Sequence, residues 1–83
     1  MKIKVLGSGC AKCQALEKTT KEVISELGVD AEIEHVRDIN KIMEYPILST
    51  PGLVIDENLV CFGRVPSKAE VTTFITTALA KQA

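Results

Sequence analysis

Thr50-Pro51-Gly52-Leu53-Val54-Ile55-Asp56-Glu57-Asn58-Leu59-Val60-Cys61-Phe62-Gly63 is the stretch that decides the fold. Leu53-Val54-Ile55 reads as a strand opened by Thr50-Pro51-Gly52, Asp56-Glu57-Asn58 as a turn, and Leu59 to Phe62 as the returning strand. Residues 52–63 are therefore an antiparallel hairpin that stops at Gly63. Ser67-Lys68-Ala69-Glu70 follows with the form of a capping box, in which the Ser67 hydroxyl accepts the Glu70 N–H and the Glu70 carboxylate reaches back to the Ser67 N–H. Val71, Phe74, Ile75, Ala78 and Leu79 then recur at helical spacing, which predicts a helix over 67–80. The second half of the chain thus runs strand, strand, helix.

Working back toward the N-terminus, residues 2–6 alternate and are rich in Ile and Val, so they read as a strand that Gly7-Ser8-Gly9 breaks. Leu16, Val23, Ile24 and Leu27, with Thr20 between, set a helix from Ala11 to Leu27, and Gly28 stands where a left-handed C-terminal residue is expected. Residues 30–36 alternate again, with Ala31, Ile33 and His35 on one face and Glu32, Glu34 and Val36 on the other. Asp38 has the character of an N-cap for a short helix over 39–44, which Tyr45-Pro46 ends. The order is β-α-β-α-β-β-α, without repeats or linkers. It predicts one α/β domain over residues 1–83: a mixed four-stranded sheet with helices on both faces, a right-handed parallel first βαβ unit and an antiparallel hairpin.

Composition excludes several classes of function. Ten basic residues against eleven acidic ones give a net charge of −1 with no basic run, so no nucleic-acid partner is expected. One Tyr and two Phe are too few for a base-stacking platform. No segment approaches the ~20 apolar residues of a membrane span, and the apolar run at the N-terminus is too short for a signal peptide, so a cytoplasmic location is expected. In a reducing compartment an odd set of three cysteines argues for catalytic or metal-binding thiols over a disulfide scaffold.

Cys10-Ala11-Lys12-Cys13 lies where the first strand gives way to the first helix. Disulfide exchange needs a thiolate, and a free cysteine with a pKa of about 8.5 is mostly protonated at neutral pH. Unpaired N–H groups and the positive end of the helix dipole favour the thiolate at this junction. Cys10, ahead of the first turn, is the candidate attacking thiol. Cys13, one turn inside, is the candidate resolving thiol, and Lys12 adds a solvated positive charge. The same spacing makes a two-thiolate claw, so a CxxC metal-binding or metal-transfer module is the alternative reading. Small copper-chaperone domains also carry CxxC after a first strand, but they continue β-β-α-β and end on a strand. This chain ends on the capped helix and has Ser8 where that motif usually carries Met.

CxxC at a helix start, Thr50-Pro51 opening the third strand and Gly63 closing the fourth together resemble the thioredoxin/glutaredoxin superfamily over essentially the whole chain. The wording Gly7-Ser8-Gly9-Cys10-Ala11-Lys12-Cys13-Gln14 and Thr50 to Asp56 is especially similar to the small thioredoxin-like proteins of methanogenic archaea and some anaerobic bacteria. The resemblance implies a three-layer thioredoxin-like fold and a thiol–disulfide oxidoreductase that reduces protein disulfides, its electrons supplied by a flavin-dependent reductase or another dithiol donor. It implies no cofactor and no resident metal. It also implies that Pro51 is the family's cis-proline, with Thr50 offering its main chain to an extended substrate, and that Gly63 keeps the substrate groove open. An ordinary proline opening a strand and a simple strand terminator are the alternatives for Pro51 and Gly63.

The chain departs from thioredoxin in having Gly9 where a Trp usually precedes the first cysteine, Ala-Lys as the spacer, and Lys4 where a buried acid assists the resolving thiol. Lys4 either favours the Cys13 thiolate or snorkels from an incompletely covered sheet face. Cys61 reads as a buried apolar residue, His35 as a solvent-side strand residue, and Tyr45 as loop or core packing near the Thr50 rim.

Overall fold

Alternation places Ile3 and Val5 on one face of the first strand and Lys4 and Leu6 on the other, and the whole sheet is organised by that division. The computed structural model describes residues 1–7, 9 and 11–82. In order it contains β1 (Lys2–Leu6), α1 (Ala11–Leu27), β2 (Glu32–Val36), α2 (Ile39–Ile42), β3 (Gly52–Ile55), β4 (Asn58–Phe62) and α3 (Lys68–Gln82). The sheet order is β2-β1-β3-β4, with β1 parallel to β2 and antiparallel to β3, and β3 antiparallel to β4. This is the mixed sheet expected from the order of elements.

The face carrying Ile3, Val5, Leu53, Ile55 and Cys61 is covered by Leu16 and Val23 of α1 and Val71 and Ile75 of α3. The opposite face, with Leu6, Val36, Val54 and Leu59, is covered among the described residues by Ile42 of α2 and by Tyr45 and Ile47. All four residues of β3 are buried, as befits a strand packed on both faces. One register shift, between Leu53 and Val54, gives β4 an extra residue there.

Local chemistry sets the element ends. α1 finishes in a Schellman turn: Gly28 has φ +66, its N–H donates to Ser25 O (3.4 Å), and the Val29 N–H donates to Ile24 O (3.2 Å). Asp38 caps α2 by accepting the Asn40 N–H (2.9 Å). Ser67 and Glu70 exchange both capping-box bonds at 3.2 Å, so Ser67 is the cap and α3 begins at Lys68.

Three readings shift. The second strand begins at Glu32, not at residue 30, because its pairing with β1 starts at Lys2. The short helix ends at Ile42 rather than at residue 44, with 43–45 as a turn. Leu27 is exposed, and the buried stripe of α1 is instead Cys13, Leu16, Thr20 and Val23. The Thr20 hydroxyl satisfies itself on Leu16 O (2.8 Å).

Candidate functional site

The C-terminal end of β1 is the centre of the site. Gly7 follows that strand and donates its N–H to Val36 O (3.0 Å), which holds the start of the loop to β2. Cys13 sits in the first turn of α1 and is completely buried, with its Sγ packed on Gly7. A methyl group built on Gly7 would overlap that sulfur and would lie 3.7 Å from Thr50 Cβ. Glycine at position 7 is thus what lets the Cys13 thiol and the Thr50 side chain converge on one point. Cys10, the candidate attacking thiol, and Ser8 lie outside the described residues.

β3 and β4 bring the second wall. Thr50 is exposed and joined to buried Pro51 by a cis peptide bond. The Gly63 N–H donates to Pro51 O (2.9 Å), and a methyl on Gly63, whose φ is +79, would come within 2.6 Å of Ser49 Oγ. The sheet therefore gathers Cys13, Thr50, Pro51 and Gly63, four of the five site residues singled out in the sequence, at one end of β1.

β2 supplies the opposite flank, which the sequence reading did not assign. His35 shares the Ile33 face, on the α1 side. It is half-buried, not a solvent-side residue, and its Nε2 donates to Gly7 O (3.2 Å). Arg37 continues the same alternation beyond the strand. The flat face of its guanidinium lies on Gly9: a methyl there would be 3.2 Å from Cζ and 3.4 Å from both Nη atoms. Gly9 has φ +91 and no side chain, so it accepts both the turn and the guanidinium. Gln14 Nε2 donates to Gly9 O (3.0 Å) and ties the loop to α1. The sequence signal for this flank was the period-two series Ile33, His35, Arg37.

Lys4 stands apart from Cys13, on the α2 side of the sheet. Its Nζ donates to Tyr45 Oη and to Glu57 Oε1, both at 3.0 Å, and Tyr45 Oη donates to Glu57 Oε2 at 3.0 Å. The bond to Tyr45 and then the pairing with Glu57 raise the Lys4 pKa, while Lys4 and then Tyr45 lower that of Glu57. Lys4 is thus a member of a surface cluster and does not simply snorkel into solvent. Cys61 is buried in the α1/α3 core, as an apolar residue would be.

Comparison with known proteins bears on the family and the fold. Residues 1–76 match the family model described as a thioredoxin domain. The chain is 46% identical over 71 residues to a thioredoxin of Methanothermobacter thermautotrophicus, covering 86% of this chain and 92% of that one. It is 41% identical over 69 residues to a thioredoxin of Methanocaldococcus jannaschii, covering 83% and 79%. The solved structure of thioredoxin 1 from Thermosipho africanus superposes with a TM-score of 0.65 over 99% of this chain and 98% of that one, at 22% identity, and shares the fold. Among the described residues no helix is long and apolar enough to cross a membrane.

Proposed function

The chain belongs to the thioredoxin family of protein disulfide oxidoreductases, and on that premise we propose that it reduces protein disulfides by dithiol exchange, with Cys10 attacking and Cys13 resolving. The Cys10 thiolate attacks one sulfur of a substrate disulfide. A mixed disulfide forms, and the other substrate sulfur leaves as a thiolate that takes a proton from water. Cys13, deprotonated, then attacks the Cys10 sulfur of the mixed disulfide. The Cys10–Cys13 bridge closes and the second substrate sulfur leaves as a thiolate, which takes up the proton that Cys13 gave up. Two electrons pass from the protein to the substrate. A flavin-dependent reductase or another dithiol donor returns them, and the direction follows the relative reduction potentials.

The observation that carries this reading is the placement of Cys13. It is buried in the first turn of a 17-residue helix, against a glycine and beside an exposed Thr50. A resolving thiol needs that seclusion: it must reach the intermediate and not an outside disulfide. Thr50, Pro51 and Gly63 form the rim on which the substrate chain lies. The cytoplasm, where such a dithiol is kept reduced, is its place of work.

A redox titration of the purified protein, each point trapped by alkylation and counted by mass, tests the reading. The expected result is one two-electron transition confined to Cys10 and Cys13, with Cys61 alkylated only after unfolding. Failure of any Cys10–Cys13 bridge to form at any poise would overturn it and leave metal binding by the pair as the reading to pursue.

A further inference from the structure

The guanidinium of Arg37 occupies an unusual place. It lies flat on Gly9, one residue before the proposed attacking thiol, so Gly9 meets its face and not the edge that carries its N–H donors. Arg37 is exposed, and among the described residues its side chain makes no hydrogen bond or ion pair. The nearest carboxylate in sequence, Asp38, is turned to α2, where its Oδ1 caps the Asn40 N–H. The first turn of α1 holds no acid and contributes Lys12, also exposed. A chain with a net charge of −1 therefore presents an unneutralised, bidentate cation at the mouth of its site. The sheet order adds direction: β2 and β3 flank β1, so Arg37 and Thr50 stand on opposite sides of the C-terminal end of β1. A peptide lying along Thr50 with its disulfide over that end extends its other flank toward Arg37.

We propose that Arg37 is a specificity-determining residue that selects disulfides of acidic peptides, receiving the carboxylate of an Asp or Glu next to the attacked cysteine. The inference rests on the dithiol-exchange reading above. The guanidinium suits this role because its fork matches a carboxylate in two parallel hydrogen bonds. Stacked on Gly9, it is pre-oriented, so less freedom is lost on engagement.

The test uses three synthetic peptides that differ only in having Glu, Gln or Lys beside one cysteine of an internal disulfide. Wild-type protein is expected to favour Glu over Gln in kcat/KM by about 3- to 5-fold at low ionic strength, the worth of a solvent-exposed ion pair. That preference is expected to vanish in 1 M salt. Arg37→Met should bring the Glu and Gln peptides level, Arg37→Lys should restore part of the preference, and Arg37→Glu should move it to the Lys peptide. The pH profile of Cys10 alkylation should be the same in wild type and Arg37→Met. Equal discrimination by wild type and Arg37→Met overturns the inference. So does an equal fall for all three peptides with a raised Cys10 alkylation pKa, because Arg37 would then act through the thiolate. Reduction of none of the peptides by wild type overturns the dithiol reading itself and this inference with it.

Discussion

Gly7 is the residue on which the site turns, and its role is steric. Its backbone needs no positive φ, but a methyl there meets Cys13 Sγ in a fully buried setting. Gly7→Ala is therefore expected to cost about 1–3 kcal/mol, the range for overpacking a filled core. Urea unfolding measures it. Because the clash is with the sulfur, Gly7→Ala placed on a Cys13→Ala background should cost markedly less, and equal costs on both backgrounds would refute the contact. Lys4 gives the opposite expectation. Its ammonium is committed to Tyr45 and Glu57 on the α2 face, away from α1. Lys4→Met should therefore leave the pH profile of Cys13 alkylation unchanged. A shift in that profile would restore Lys4 as an electrostatic partner of the thiol.

At the scale of elements, the start of α3 carries a pH signature. Glu70 is lowered to about 2, first by the Arg64 guanidinium, whose two Nη atoms reach its carboxylate at 3.0 and 2.5 Å, and next by the Ser67 N–H. In the unfolded chain the same carboxyl titrates at its ordinary 4.5. A lowered folded-state pKa means that the stabilisation is fully present above pH 4.5 and is lost as pH falls through about 2. Glu70→Gln should flatten the acid limb of the stability–pH curve in that window, modestly, because the pair is exposed and screened. Ser67→Ala should cost about 1 kcal/mol at neutral pH, which thermal denaturation reads as about 4–8 °C.

These caps were legible in the sequence because each is local: Ser67 with Glu70, Asp38 with Asn40, Gly28 after Leu27. The Thr50–Pro51–Gly63 wall was legible because its residue types are distinctive. What stayed hidden depends on contacts between distant elements. Glu57 takes φ +70 in a two-residue turn with Asp56, at φ +47, although Glu ordinarily avoids that region. Its carboxylate is held by Lys4 and Tyr45, 53 and 12 residues away. His35 and Arg37 were on the right face of β2, yet nothing in their spacing says that Gly7 and Gly9 come to lie against them.

The whole molecule is lopsided, and the lopsidedness bears on function. One face of the sheet is closed by α1 and α3, 17 and 15 residues long, and the other by a helix of four residues. Within α2 only Ile42 is buried and Ile39 is 62% exposed, while Met43 and Leu48 of the adjoining segment are 73% and 88% exposed. Little apolar area therefore opposes local opening of residues 38–49, whereas exposing β3 means separating both cores at once. Native-state hydrogen exchange should show this as protection of the Ile42 and Met43 amides lower than that of β1 and β3 by on the order of 100-fold. Destabilising the large core with Ile75→Ala should speed exchange in β1 and β3 while leaving Ile42 and Met43 nearly unchanged, since those open without global unfolding. Equal acceleration everywhere would mean that the thin face opens only with the rest. Because segment 38–49 leads directly into Thr50, a substrate chain settled on that rim should slow exchange at Ile42 and Met43. A disulfide peptide trapped on Cys10 in a Cys13→Ser variant supplies that state. Unchanged exchange there would place the thin face outside the substrate's reach and leave its exposed Met43 and Leu48 without a part in recognition.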